Sequence, residues 1–244
     1  MSYKGINYLH NKVIEILEGE PRVRLLDLGA GGGNLTKQAK DKGFDVVALD
    51  ADEGRFQYKN EIDFRKGDLT QGLPFEDGSF DCVVMLEVIE HLKDPYFVLR
   101  EINRILKKDG FLLLSTPNIL NLKSRVRFLF EGTYDYFREP PLELAVSPKH
   151  RFFDIHVFAY KYPELEYILF DAGFSIDNIF ASVFELQAMG FSLIFLPMMK
   201  LQAYFKCRRA QKKGDMDYRR IFKILFSPEL LYGRHLIIKA RKRE

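Results

Sequence analysis

Cysteine is scarce in this chain. Its 244 residues contain two, Cys82 and Cys207, too far apart in sequence to form the spacing of a metal knuckle. That count excludes a disulfide-stapled scaffold and leads to the expectation of a reducing, cytoplasmic setting. Met1 to Glu20 lack a charged-then-apolar leader ending in small residues, so secretion is not expected. An uninterrupted apolar run is also missing. Residues 188–205 come nearest, but Pro197 and Lys200 break them, and the run reads as too short for a membrane span.

Charge of one sign is nearly absent in total, at +3, but it is unevenly placed. Residues 200–244 carry 14 basic and 4 acidic groups, a net +10, which leaves −7 on residues 1–199. The last fifth of the chain is a basic appendage on an acidic body. A hydrophobic content of 47% over this length suits one domain of generous size, 1–244, with insertions.

The organising stretch is Leu25-Leu26-Asp27-Leu28-Gly29-Ala30-Gly31-Gly32-Gly33-Asn34-Leu35-Thr36. Val23 to Leu28 has the apolar content of a buried parallel strand, and Leu35 to Lys42 can form a helix. The glycines between them supply a tight turn whose φ values a side chain resists, and they let a ligand lie directly on the backbone. The helix start offers N–H groups to an anionic ligand group. A second apolar strand, Asp45 to Leu49, ends in Asp50, whose carboxylate is placed to accept ribose hydroxyls. To this point a dinucleotide site has an equal claim.

Two later stations decide between them. Phe64-Arg65-Lys66-Gly67-Asp68-Leu69 is a short strand leading to an acid. Leu73 to Leu92 then runs through a turn and a strand into Glu87-Val88-Ile89-Glu90-His91-Leu92. Farther on come Leu112-Leu113-Leu114-Ser115-Thr116-Pro117-Asn118 and Ala172-Gly173-Phe174. In this order the motifs, over about residues 20–180, resemble the class I S-adenosylmethionine-dependent methyltransferases, especially the type 11, 12 and 23 branch that acts on quinones, glycolipids and other small molecules.

That resemblance implies an α/β fold, a Rossmann-like seven-stranded sheet, mostly parallel with an antiparallel last strand and helices on both faces. It implies S-adenosyl-L-methionine as cofactor. Asp27, Gly29, Ala30, Gly31 and Gly33 would form the loop around its methionine part, Asp50 and Ala51 would meet the ribose, and Asp68 and Leu69 the adenine. Leu86 and Glu87 would line it at the end of the fourth strand.

Glu87, Glu90 and His91 share a face if the chain turns helical there, and two carboxylates with an imidazole can bind a divalent metal or handle protons. The motif also resembles the metal site of small-RNA 2′-O-methyltransferases, with His150 as a further ligand. The reading adopted assigns no metal and takes His91 and His150 as the catalytic candidates, with His156 an alternative base for an acceptor hydroxyl.

Residues 119–150 mix aromatics with arginines and read as a substrate lid; stacking on nucleic acid is the competing reading. Residues 185–234 form an apolar and then basic insertion before the last strand, His235 to Ala240. The run at 188–213 is read as acceptor-pocket wall, peripheral membrane contact at the inner face of the membrane, or subunit contact. A short helix is expected over 51–60, and a helix over 96–106 stopped by Lys107 to Gly110. The acceptor expected is a small amphipathic molecule, lipid- or glycan-linked. The alternatives are a metal-dependent RNA methyltransferase and a catalytically silent cofactor-binding partner subunit.

Overall fold

A computed structural model describes residues 3–21, 23–137, 156, 158–213 and 218–243. Seven strands form one sheet: β1 (Arg24–Leu28), β2 (Asp45–Asp50), β3 (Asp63–Lys66), β4 (Phe80–Leu86), β5 (Leu106–Pro117), β6 (Phe174–Ala181) and β7 (His235–Lys242). Their order is β3-β2-β1-β4-β5-β7-β6. β1 pairs in parallel with β2 and β4, and β7 runs antiparallel to both β5 and β6. The connections therefore leave β1 in one direction and return to β4 in the other. Ligands bind at such a switch point in open α/β sheets, outside the carboxyl ends of the strands.

Alternation along the strands supplies two faces. Leu26, Leu28, Val83 and Met85 pack with Val98, Leu99 and Ile102 of α3 (Pro95–Ile105) and with Leu165 and Leu169 of α5 (Tyr162–Asp171). Leu25, Val46, Cys82 and Val84 point the other way, onto Leu9, Val13 and Leu17 of α1 (Tyr3–Glu18) and Leu35 and Ala39 of α2 (Asn34–Asp41). A one-residue slip would exchange these sets, so register and core are fixed together. Truncating one of these buried leucines to alanine would cost about 2–5 kcal/mol.

A third, smaller cluster joins α4 (Leu122–Glu131), α6 (Leu186–Lys213) and α8 (Pro228–Tyr232). Leu122, Ala188 and Leu231 are its buried members, with Phe191, Phe195 and Phe226 against them. Between α6 and α8 lies α7 (Tyr218–Leu225). The described part of the 185–234 insertion is thus mostly helical, with short non-helical links at 226–227 and 233–234.

Two local expectations fail. Residues 51–60 form turns and no helix: Asp52 Oδ1 accepts from the Gly54 N–H at 3.1 Å, and the ring of buried Phe56 packs, tilted, against Phe64 at 4.7 Å. The aromatic anchors the loop where helix propensity is weak. Residues 107–110 belong to β5 and do not stop α3. Leu106 is buried, already extended and paired with Phe80, while Asp109 (φ 66°) and Gly110 form the irregular start of the strand. Sheet pairing ends the helix one residue earlier than the expected basic turn.

Candidate functional site

The glycine loop between β1 and α2 adopts left-handed backbone at Gly29 (φ 75°), Gly31 (φ 54°) and Gly33 (φ 83°). Each glycine is needed for a different reason. A Cβ on Gly29 would lie 2.5 Å from Val88 Cγ2, and one on Gly33 would lie 2.6 Å from the Phe56 ring. At Gly31 a Cβ would meet nothing within 4 Å, so that stretch of backbone is an open ledge. Ala30 lies beside it, half-buried.

Asp50, at the end of β2, fixes that ledge. Its Oδ2 accepts from the Gly31 N–H at 2.8 Å and its Oδ1 from the Asp52 N–H at 2.8 Å. Each oxygen keeps a further lone pair for a ribose hydroxyl. Ala51 follows it and is exposed. Asp27 is buried and accepts from the Thr36 hydroxyl at 2.5 Å, tying β1 to α2. Burial raises the Asp27 carboxyl to about 6, against the lowering effect of Thr36.

Asp68 caps a short 3-10 turn, Leu69–Gln71, accepting from Thr70 N and Oγ1 at 2.9 and 2.8 Å. Leu69 is half-buried beside it, and Leu86, also half-buried, sits at the end of β4. The cofactor candidates therefore gather along the carboxyl ends of β1, β2, β3 and β4. The open ledge, the free helix start and the acid at a ribose distance in sequence fit a nucleoside with a charged tail.

Glu87 follows β4 with φ 54°, an unfavourable conformation for a side chain that costs about 1–3 kcal/mol. Its Oε1 accepts from Ser115 Oγ at 2.7 Å. The other oxygen, Oε2, has no hydrogen-bond partner and lies 3.9 Å from His235 Nε2, itself buried and unbonded. His235 is held on its far side by Ser182 Oγ, 2.8 Å from Nδ1. Burial pushes the Glu87 carboxyl up to about 7 and the His235 imidazole down to about 3, so both favour their neutral forms. Sequence reasoning missed His235 and Ser182, since a lone histidine opening an apolar strand carries no motif.

Glu90 and His91 occupy a single 3-10 turn, Ile89–His91, and the three residues of the motif do not form the helical face expected of them. The buried Glu90 instead meets His156, with Oε1 4.0 Å from Nε2, while the His91 and His156 rings cross at 5.0 Å. Ligand atoms of Glu90, His91 and His156 all lie within 4.8 Å of one another. Burial raises the Glu90 carboxyl, with Glu87 adding to it, and burial lowers His156 to about 4. His150 and residues 138–150 of the expected lid lie outside the described residues.

Thr116 is buried in this region with its hydroxyl unbonded. Asn118, two residues on, is engaged elsewhere: its Nδ2 donates to the carbonyls of Glu229, Leu230 and Gly233 at 3.0, 3.2 and 2.9 Å. It clamps the end of β5 to α8.

This fold is similar to that of solved S-adenosylmethionine-dependent methyltransferases. Residues 26–114 match the methyltransferase domain family Methyltransf_11. Over 131 residues the chain is 35% identical to a ubiquinone biosynthesis O-methyltransferase of Ruegeria pomeroyi, covering 47% of this chain and 52% of that one. A demethylmenaquinone methyltransferase of Renibacterium salmoninarum is 36% identical over 107 residues, covering 42% of this chain and 45% of that one. The chain thus spans about half the length of these curated relatives. A solved S-adenosylmethionine-dependent methyltransferase of Thermotoga maritima, described as a possible histamine N-methyltransferase, superposes with a TM-score of 0.59 at 19% identity. It covers 97% of this chain and 89% of its own.

Proposed function

We propose that this chain transfers a methyl group from S-adenosylmethionine to an oxygen or nitrogen of a small amphipathic acceptor, lipid- or glycan-linked. The observation that carries the proposal is the Asp50-braced ledge at Gly31, an uncovered stretch of backbone at the sheet's switch point. The acceptor class takes its support from two relatives, one named a ubiquinone biosynthesis O-methyltransferase and the other a demethylmenaquinone methyltransferase.

When bound, the cofactor supplies a methyl group already activated on its sulfonium. The protein has no nucleophile to provide; its residues bind, align and exclude water, which can account for about 7–11 kcal/mol of a barrier. Asp27, Gly29, Ala30, Gly31 and Gly33 hold the amino-acid end. Asp50 and Ala51 take the ribose, Asp68 and Leu69 the adenine, and Leu86 and Glu87 close the side facing the acceptor. His91 is the candidate to take the proton from an acceptor hydroxyl, while His156 packs on its ring and, lowered by burial to about 4, is a weak proton acceptor. Residues 119–150, described as far as Phe137, cover the acceptor within a single domain, 1–244. Contact with the inner face of a membrane through 188–213 brings enzyme and acceptor together, in a reducing compartment that suits the two free cysteines.

A metal-dependent RNA reading draws on Glu90, His91 and His156, but the relatives named for ubiquinone biosynthesis and for demethylmenaquinone favour the small-molecule reading. A silent partner subunit is disfavoured because the acids of the cofactor cradle are all present. Calorimetric titration tests the cradle: S-adenosylhomocysteine should bind the chain, and Gly31→Ala should abolish binding while leaving the fold intact. Equal binding by both proteins would refute the assignment.

A further inference from the structure

Helix α6 is apolar on both sides over 186–205, and only one side has a partner. Ala188, Phe191, Phe195, Leu196 and Met199 face the small cluster made with α4 and α8. The opposite stripe is exposed: Leu186 is 83% and Leu193 82% accessible, with Ile194, Met198, Leu201 and Phe205 in the same row. At the end of the neighbouring α4, Phe130 is 78% accessible and Leu129 is exposed too, which widens the patch. A groove of about 410 Å³ opens between α4 and α6, lined among others by Arg127, Phe130, Gln187 and Phe191.

The patch has a charge boundary. No Asp or Glu occurs in 186–213, and the apolar row ends in Lys206, Arg208 and Arg209, all exposed. Arg220 and Lys223 of α7 are exposed nearby; α7 meets α6 where Lys206 Nζ lies 4.5 Å from the Tyr218 ring. By length and composition, Leu186–Gln211 could cross a bilayer, with 11% of its most apolar window buried. Two features oppose crossing: Pro197 sits inside the helix, and its inner stripe is packed against the protein body.

We propose that α6 lies in the plane of an anionic phospholipid surface, its Leu186–Phe205 row inserted among the acyl chains and its basic end at the headgroups. The groove beside α4 then opens at the depth where an amphipathic acceptor resides. This deepens the acceptor reading above and rests on it for its purpose, but the membrane contact itself is measurable without any methyl transfer.

The test is co-sedimentation of the full chain with vesicles of phosphatidylcholine alone or mixed with phosphatidylglycerol, with S-adenosylhomocysteine binding as a check on folding. The expected result is binding at least about tenfold stronger to the anionic vesicles, weakening with salt. Leu193→Glu with Leu201→Glu should abolish binding, and Arg209→Glu with Arg220→Glu should remove the anionic preference; both should keep S-adenosylhomocysteine affinity. No sedimentation would overturn the proposal, as would binding unchanged in the leucine variant. Resistance to alkaline extraction would overturn it in favour of a spanning helix. A lipid-free dimer dissolved by Leu193→Glu with Leu201→Glu would overturn it in favour of a second copy. Failure of methyl transfer to quinone-type acceptors alongside intact vesicle binding would remove the acceptor reading alone.

Discussion

The N–H of Gly31 donates to Asp50 Oδ2 at 2.8 Å, so the acid proposed to meet a ribose also holds the loop proposed to meet the rest of the cofactor. Residues 19 apart in sequence become one device because β1 and β2 are neighbours in parallel register. Asp50→Ala removes both functions. Loss of a charge-assisted hydrogen bond of about 1.5–3 kcal/mol should weaken cofactor binding by about tenfold to a hundredfold, read by calorimetry. Asp50→Asn, which keeps one acceptor oxygen, should lose less.

The loop glycines should separate by readout. Gly33→Ala sets a Cβ against Phe56, which is buried and packed on Phe64 and cannot yield, so it should destabilise the fold by about 3 kcal/mol or more. Gly31→Ala meets no atom and should cost about 1–2 kcal/mol from its left-handed backbone, while blocking the ligand. Urea unfolding of both variants, paired with cofactor titration, checks the contrast.

Much of this was legible in the sequence because it is local or periodic. The strand-glycine-helix unit, Asp50 and the apolar strands declare themselves in short windows, whereas the antiparallel direction of the last strand came only from the family resemblance. The turn at 51–60 did not, because Phe56 is held by the ring of Phe64 in β3, beyond the window in which the helix was expected. Nor did the Glu87–His235 approach, which joins residues 148 apart through the pairing of β5 with β7. The motif Glu87, Glu90, His91 was legible as a group of chemistry-bearing residues. Its sorting was not, since Glu87 turns to His235 while Glu90 and His91 turn to His156.

His235 makes a pH prediction. Burial first, then Arg234 and His156, lowers it from 6.5 to about 3. The unfolded chain therefore takes up that proton before the folded one, so stability is full above 6.5 and drains as pH falls toward 3. The burden is at most about 5 kcal/mol. Glu87, raised to about 7 from 4.5, runs the opposite way over the upper part of that window. His235→Asn should be destabilising near neutrality, where Ser182 loses its partner, and its deficit against the parent should shrink at about pH 5. A deficit independent of pH would contradict the assignment.

Asn118 makes a stability prediction that leaves the cofactor site alone. Asn118→Ala strips three carbonyls of the α8 region of their donor in a buried position and should cost about 2–4 kcal/mol. Hydrogen exchange should rise at Leu230 to Gly233 while cofactor affinity changes little.

The most direct test of the account is transfer of labelled methyl from S-adenosylmethionine into an extract of the native host, partitioned into lipid, RNA and water-soluble fractions, with and without chelator. The account predicts label in the organic phase, indifferent to chelator and lost with Asp50→Ala. Label in RNA that disappears with chelator would contradict it and make Glu90, His91 and His156 a metal site.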